Sequence, residues 1–315
     1  MNLYPYKFTP IYKPKIWGGR NLHRLFGRAL PPGEMIGESW ELADLPEGVS
    51  VVASGPAAGA SLTDLTRQLG ADLLGDAKAM PDGRFPLLLK LLDANDILSL
   101  QVHPDEHAAC EIGPPAAVKT ECWYVIESRD GFIYKGVMPG VDPAQFRQAL
   151  AGDEVKSLIR RIDVAEGDFH YLPAGTVHAL GSGVVLAEVQ TPSDTTYRVT
   201  DWGRGRDIQV DLSMRCIRFE LGGDAVPGAH ESTLLATEFF IVDKSHAQAG
   251  QARPLPSGRC AAMMVLTGSG CVVSDGCPAE VRFVPGDTLL VPASLKQAAV
   301  VADADAQWLE ITLPG

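Results

Sequence analysis

Gly167-Asp168-Phe169-His170-Tyr171-Leu172-Pro173-Ala174-Gly175-Thr176-Val177-His178 reads as a strand, a tight turn and a second strand that ends on a histidine. Pro173 and Gly175 supply the backbone angles of a tight turn, and the strand that follows aims His178. A β-barrel presents a metal ligand to its own interior in this way. A second histidine lies upstream. In Leu98-Ser99-Leu100-Gln101-Val102-His103 apolar residues alternate with polar ones, so Ser99, Gln101 and His103 share one strand face. A polar face of this kind predicts a cavity lining.

With 315 residues, 46% hydrophobic and 21% charged, the chain can bury a sizeable core in one large or two moderate domains. A net charge of -12 without a clustered run of Lys and Arg argues against nucleic acid or an anionic membrane as partner. An anionic small molecule is compatible with it, because a few inward-facing cations dominate a site whatever the global charge. Met1-Asn2-Leu3-Tyr4-Pro5-Tyr6-Lys7-Phe8 lacks a charged leader followed by an apolar core, and no stretch approaches bilayer-spanning length, so a cytoplasmic location is expected. Cys110, Cys122, Cys216, Cys260, Cys271 and Cys277 form no Cys-x-x-Cys pair. They fit reduced, mostly buried thiols, with Cys271 and Cys277 as structural filler.

Gly and Pro punctuate many short apolar runs, which predicts a mainly β protein. Two helical stretches interrupt it: residues 62–74, after the candidate cap Ser61, and residues 142–162, with Phe146, Leu150, Val155, Leu158 and Ile159 at helical spacing. The first reads as a small helical insert and the second as a connection between barrel strands. The opening turn has an echo. Glu166-Gly167-Asp168-Phe169-His170-Tyr171-Leu172-Pro173-Ala174 returns as Pro285-Gly286-Asp287-Thr288-Leu289-Leu290-Val291-Pro292-Ala293, and in that register Gln297 stands where His178 would. The second copy keeps the turn and loses the ligand, which predicts a second, smaller barrel. A turn-rich stretch at 222–232 places the boundary between domains 1–225 and 226–315.

Between the two histidines, Lys119-Thr120-Glu121-Cys122-Trp123 puts Lys119, Glu121 and Trp123 on one strand face. Gln101, His103, Glu121 and His178 can therefore converge. Two imidazoles, a carboxylate and an amide oxygen suit a borderline divalent ion such as zinc, whereas an all-oxygen set would suit magnesium or calcium. Taken singly, His103 would be an ordinary buried histidine and Glu121 a salt-bridge partner of Lys119; the shared face is what makes them a site. His23, His107, His170, His230 and His246 lack that support and read as structural or solvated, His107 being the closest rival. Downstream, Glu188 and Gln190 share a face, and Arg198 and Arg204 offer guanidinium forks that match a phosphate. An ordinary ion pair with Asp194 or Asp201 is the simpler role for either arginine.

These segments together resemble the type I mannose-6-phosphate isomerases, in the short bacterial form that lacks a large helical domain. The likeness runs through Lys15-Ile16-Trp17-Gly18-Gly19, Ile36-Gly37-Glu38-Ser39-Trp40-Glu41-Leu42, Lys90-Leu91-Leu92-Asp93-Ala94-Asn95-Asp96, Ser99 to Asp105, Lys119 to Tyr124, Pro173 to His178 and Asp194 to Arg198. Gln-Val-His-Pro-Asp followed by Lys-Thr-Glu is its most specific part. The resemblance implies two cupin-type (jelly-roll) β-barrels, the first catalytic and the second without metal ligands. It implies one zinc ion per chain on Gln101, His103, Glu121 and His178. It places Ser99, Lys119 and Arg198 at the substrate phosphate or in the catalytic pocket. The chain departs from the family pattern at Arg204, where larger members carry a lysine, and at Gln209, where Arg-Glu-Leu-His becomes Arg206-Asp207-Ile208-Gln209.

The expected reaction interconverts mannose 6-phosphate and fructose 6-phosphate through a cis-enediol, with Lys119 or Lys90 supplementing the zinc. Glu188 is the preferred proton carrier, since a carboxylate desolvated in an apolar barrel has its pKa raised, with a histidine, a lysine or zinc-bound water as alternatives. Lys90 and Arg204 join Ser99 as substrate-binding residues. Two rival classes have the same ligand types: a sugar-phosphate-binding cupin without catalysis, and an iron(II) cupin oxygenase. Lys119-Thr120-Glu121 and the phosphate-suited Arg198 argue against the oxygenase. The partner expected is a hexose 6-phosphate, with monomer and homodimer both open.

Overall fold

In the computed structural model the described residues are 3–150, 153–222, 226–275 and 280–315. The expected boundary at 225/226 and Cys277 fall on or beside residues outside that set. Two antiparallel sheets enclose the site. One runs in the order Phe169–Leu172, Glu121–Ser128, Val184–Gln190, Leu88–Ala94, Ile36–Leu42, Ile11–Gly19. The other runs Ile159–Asp163, Phe132–Val137, His178–Leu180, Leu100–Val102, Tyr197–Thr200.

Period-two alternation sorts the side chains of these strands into layers. Leu92, Trp123, Val125, Ile133, Leu172, Leu180, Val184 and Leu186 meet between the two sheets as one core. Their strand neighbours Leu89, Leu91, Cys122, Tyr124, Val185, Ala187 and Val189 point the other way, into a second core. That second core is shared with Leu62, Leu65 and Leu69 of the helix Leu62–Leu69 and with Ala262, Met264, Leu309 and Ile311 of the C-terminal sheet. Leu100, Val102, Ala179 and Val199, on the far face of the five-stranded sheet, are covered by Ala108, Phe146 and Cys216 from three short helices.

The expected twin jelly-roll barrels do not form. Mainly β structure with a small helical insert is present, but each sheet follows an open path with two ends. The physical reason lies at the edges. Ile11–Gly19 pairs with Ile36–Leu42 through shifted register at Pro14, which has no N–H to offer a further strand. At the other sheet, Tyr197–Thr200 packs beside the helix Val210–Cys216 instead of pairing onward. Covered and interrupted edges stop a sheet from closing on itself.

The helical expectations hold in part. Ser61 caps Leu62–Leu69, its Oγ accepting from Asp64 N–H at 3.1 Å. The stretch 142–162 breaks up: Asp142 caps a helix over Pro143–Ala149, a 3-10 turn spans Asp153–Leu158, and Ile159–Asp163 is a strand. The branched Ile159 and Ile162 suit the sheet they join.

C-terminally, an eight-stranded sheet is built around the long strands Ala261–Asp275 and Lys296–Thr312. It also takes in Tyr6–Lys7 from the start of the chain, Tyr6 pairing with Leu290. The echo turn docks the N-terminal residues: Asp287 accepts from Lys7 Nζ at 2.7 Å, and the Gly286 carbonyl accepts from Arg28. Gln297 is exposed and stands apart from any ligand cluster. No helix among the described residues is long and apolar enough to cross a membrane.

Leu186, fully buried between the two sheets, tests this layering. Leu186→Ala should lower unfolding stability by ~2–5 kcal/mol in a urea titration, as expected for a truncation in a close-packed core.

Candidate metal centre and substrate cavity

The turn quoted first ties three ligand-bearing segments together. Thr176 N–H closes it onto the Pro173 carbonyl at 3.0 Å, and Gly175, with φ +91°, donates to the His103 carbonyl at 2.8 Å. Ala174 N–H donates to Thr120 Oγ1 at 2.9 Å, which fixes the residue next to Glu121. Gly175 has no room for a side chain, because a Cβ would stand 2.5 Å from Arg218 Cγ.

Sheet register does the rest. His178 pairs with Gln101 across the five-stranded sheet, and Glu121 opens its strand in the facing sheet. His103, Glu121 and His178 are buried, with ligand atoms all within 4.8 Å of one another. Among the described residues this is the one such cluster. Both imidazoles are oriented by backbone carbonyls, His103 Nδ1 to Thr195 at 2.9 Å and His178 Nδ1 to Thr176 at 2.9 Å. A carbonyl only accepts, so each Nδ1 carries the proton and each Nε2 presents its lone pair to the cluster.

The donor set fits a divalent cation. Neither oxygen of Glu121 has a hydrogen-bond partner, although the residue is 0% exposed. Oε1 lies 3.1 Å from His178 Nε2, so two lone pairs face each other, an arrangement that a cation between them resolves. Oε2 lies 3.0 Å from Lys119 Nζ and 3.5 Å from His103 Nε2. Burial and the Lys119 ammonium push His103 down to about 3, keeping it neutral and able to ligate. Burial opposes ionisation of Glu121, but the Lys119 ammonium holds its carboxyl well below the usual range. The Gln101 amide lies 3.2 Å from His178 Nε2, and with its oxygen turned inward it adds a fourth donor.

A cavity of about 230 Å³ adjoins the cluster, lined by Gln101 and Lys119 and, further round, by Lys90, Trp123, Glu188, Ser99 and Arg198. Lys90 and Glu188 are cross-strand partners, with Nζ and Oε1 3.0 Å apart. Glu188 Oε2 accepts from Trp123 Nε1 at 2.9 Å. Glu188 thus has a lysine and an indole N–H against it, not the apolar barrel wall expected. On its other side Lys90 faces Glu38 at 3.8 Å, and Glu38 pairs with Lys15 at 2.8 Å. Burial alone would lower Lys90, but Glu188 and Glu38 raise it above the ordinary lysine range. Burial would raise Glu38, but Lys90 and Lys15 pull it down to about 2. Ser99 is buried and its Oγ accepts from Arg198 Nε at 3.3 Å.

Arg204 is not brought to this cavity. Its guanidinium bonds Asp201, Asp96 and the Ile97 carbonyl, the ion-pair role that Asp201 offered it. Lys15, Glu38 and Arg206 line the cavity without having stood out in the sequence. Alternation along Ile36–Leu42 was the available signal for Glu38, which shares a face with Trp40 opposite Leu92 and Lys90. His107, His230 and His246 are exposed. A larger groove of about 720 Å³ beside Val118, Phe239 and Leu313 shares no residue with the cavity.

Residues 6–124 match the model of the phosphomannose isomerase type I catalytic domain. The chain is 35% identical to mannose-6-phosphate isomerase of Streptococcus mutans over 294 residues, 90% of each protein. It is 33% identical to mannose-6-phosphate isomerase ManA of Bacillus subtilis, covering 94% of this chain and 95% of that one. The crystal structure of the Bacillus subtilis mannose 6-phosphate isomerase superposes with a TM-score of 0.87 at 29% identity, covering 98% of this chain and 99% of that one. Likeness of this extent, with the buried His-Glu-His cluster, shows that the chain belongs to the type I mannose-6-phosphate isomerase family.

Proposed function

We propose that the chain interconverts mannose 6-phosphate and fructose 6-phosphate by moving a proton between C1 and C2 of the open-chain sugar through a cis-enediol. The observation that carries this reading is the buried His103-Glu121-His178 cluster beside a cavity that Gln101 and Lys119 border and that Lys90, Glu188, Ser99 and Arg198 also line. Gln101, His103, Glu121 and His178 would hold one zinc ion, which when bound supplies a Lewis acid for the sugar's C1 and C2 oxygens.

The chain's own residues do the rest. Lys119 and Lys90 keep positive charge beside the position where the enediolate oxygen develops, and two flanking carboxylates keep Lys90 protonated. Glu188 carries the proton between the two carbons, held in place by Lys90 and Trp123 Nε1–H. Ser99 and Arg198 take the phosphate, the guanidinium fork matching its oxygens. Burial of Lys90, Ser99, Lys119 and Glu188 strengthens the interactions they make.

Metal analysis of the purified protein should find zinc together with fructose 6-phosphate formation from mannose 6-phosphate in a coupled assay; zinc without turnover would overturn the reading. Glu121→Gln should reduce bound metal by ~10²-fold or more, read by elemental analysis after gel filtration. Glu188→Gln should lower kcat by ~10²–10⁴ with metal retained; near-normal turnover would remove Glu188 from the proton path. Arg198→Ala should raise KM by roughly 10–100-fold, the worth of a lost charge-assisted bond.

A further inference from the structure

Residues 201–209 leave the Tyr197–Thr200 strand and double back towards the cavity. Gly203 and Gly205, with φ of +78° and +82°, flank Arg204 and allow the reversal. It brings two arginines onto one carboxylate. Asp201, buried, accepts from Arg204 Nη2 at 2.9 Å and from Arg206 Nε at 2.9 Å, and also binds Arg206 Nη2.

The two arginines then differ. Every guanidinium nitrogen of Arg204 is engaged: Nε and Nη2 on Asp201, and Nη1 on the Ile97 carbonyl at 2.6 Å. Arg206 uses Nε and Nη2 on Asp201, and among the described residues its Nη1 makes no hydrogen bond. Arg206 lines the cavity and Arg204 does not. Across the cavity wall Arg198 spends Nε on Ser99 and Nη1 on the Asp207 carbonyl, leaving Nη2 in the same position. Burial lowers Arg198 from the ordinary guanidinium range, and the neighbouring Arg206 lowers it further, as two cations held side by side do.

Resting on the isomerase reading, we infer that Arg206 is the second phosphate-binding arginine, paired with Arg198, and that Arg204 is a strut that neutralises Asp201 and leaves the Arg206 charge for the substrate. A sugar phosphate carries nearly two negative charges at neutral pH, more than Arg198 alone compensates. Two guanidiniums, each with a terminal N–H₂ free to donate, match that charge and offer the forked donors its oxygens accept. Arg206 is bound in advance by Asp201, so little side-chain freedom is lost when the phosphate arrives.

The experiment compares Arg206→Gln and Arg204→Gln in the zinc-loaded enzyme, with fold checked by near-ultraviolet circular dichroism. Arg206→Gln should raise KM for mannose 6-phosphate by about 10–100-fold with kcat within about threefold. It should weaken binding of inorganic phosphate, titrated calorimetrically, by a similar factor. Arg204→Gln, which removes no phosphate donor but leaves Asp201 to Arg206 alone, should raise KM and weaken phosphate binding by only about two- to fivefold, and Arg206→Lys should recover part of the Arg206→Gln loss. An unchanged KM and phosphate affinity in Arg206→Gln, or equal losses in both glutamine variants, would overturn the assignment. A parent enzyme that binds zinc and phosphate without turnover would instead overturn the isomerase reading, leaving the phosphate titration to judge Arg206 separately.

Discussion

A fully buried carboxylate without a hydrogen bond, that of Glu121, is the constraint around which the site is arranged. Taking such a charge out of water costs several kcal/mol unless positive charge is placed against it. Lys119 supplies one contact, and both imidazoles present lone pairs that call for a cation. Those lone pairs face inward because two backbone carbonyls hold the opposite ring nitrogens. One of these carbonyls, that of Thr176, belongs to the turn that also grips His103 and Thr120 through its own N–H groups. A four-residue turn thus holds ligands from both sheets at a common point.

Charge alternates away from that point. Lys15, Glu38, Lys90 and Glu188 follow one another along neighbouring strands of the six-stranded sheet, each within 3.8 Å of the next. Removing Lys90 would leave the buried Glu188 carboxylate without its cation. Lys90 stays cationic although burial opposes it, because Glu188 and Glu38 flank it. Preorganised charge of this kind needs no rearrangement when an oxyanion develops. The arginine end of the cavity works differently, with partly exposed guanidiniums that retain unused donors.

Alternation made most of the site legible. Gln101, Glu121, Trp123, Glu188 and Gln190 fall on the inward faces that period two assigns them, because a strand buried on both sides still sends successive side chains in opposite directions. Periodicity was a poorer guide at residues 142–162, where apolar spacing suited helix and strand alike and sheet pairing took Ile159–Asp163. It was no guide to Arg204 and Arg206. Both lie in a loop without a period, where hydrogen bonding to Asp201 and the Ile97 carbonyl determines direction.

The amino-acid sequence by itself determined the β-rich class, the ligand turn, the faces of the strands and the family, because those depend on local backbone preference and on residue identity at short spacing. Tertiary structure decided three things that depend on partners far along the chain. The sheets stay open, because Pro14 interrupts one edge and the helix Val210–Cys216 covers another. Tyr6–Lys7 joins the C-terminal sheet across nearly the whole sequence. And Arg206, not Arg204, reaches the cavity, because a single buried aspartate apportions the two guanidiniums between strut and site.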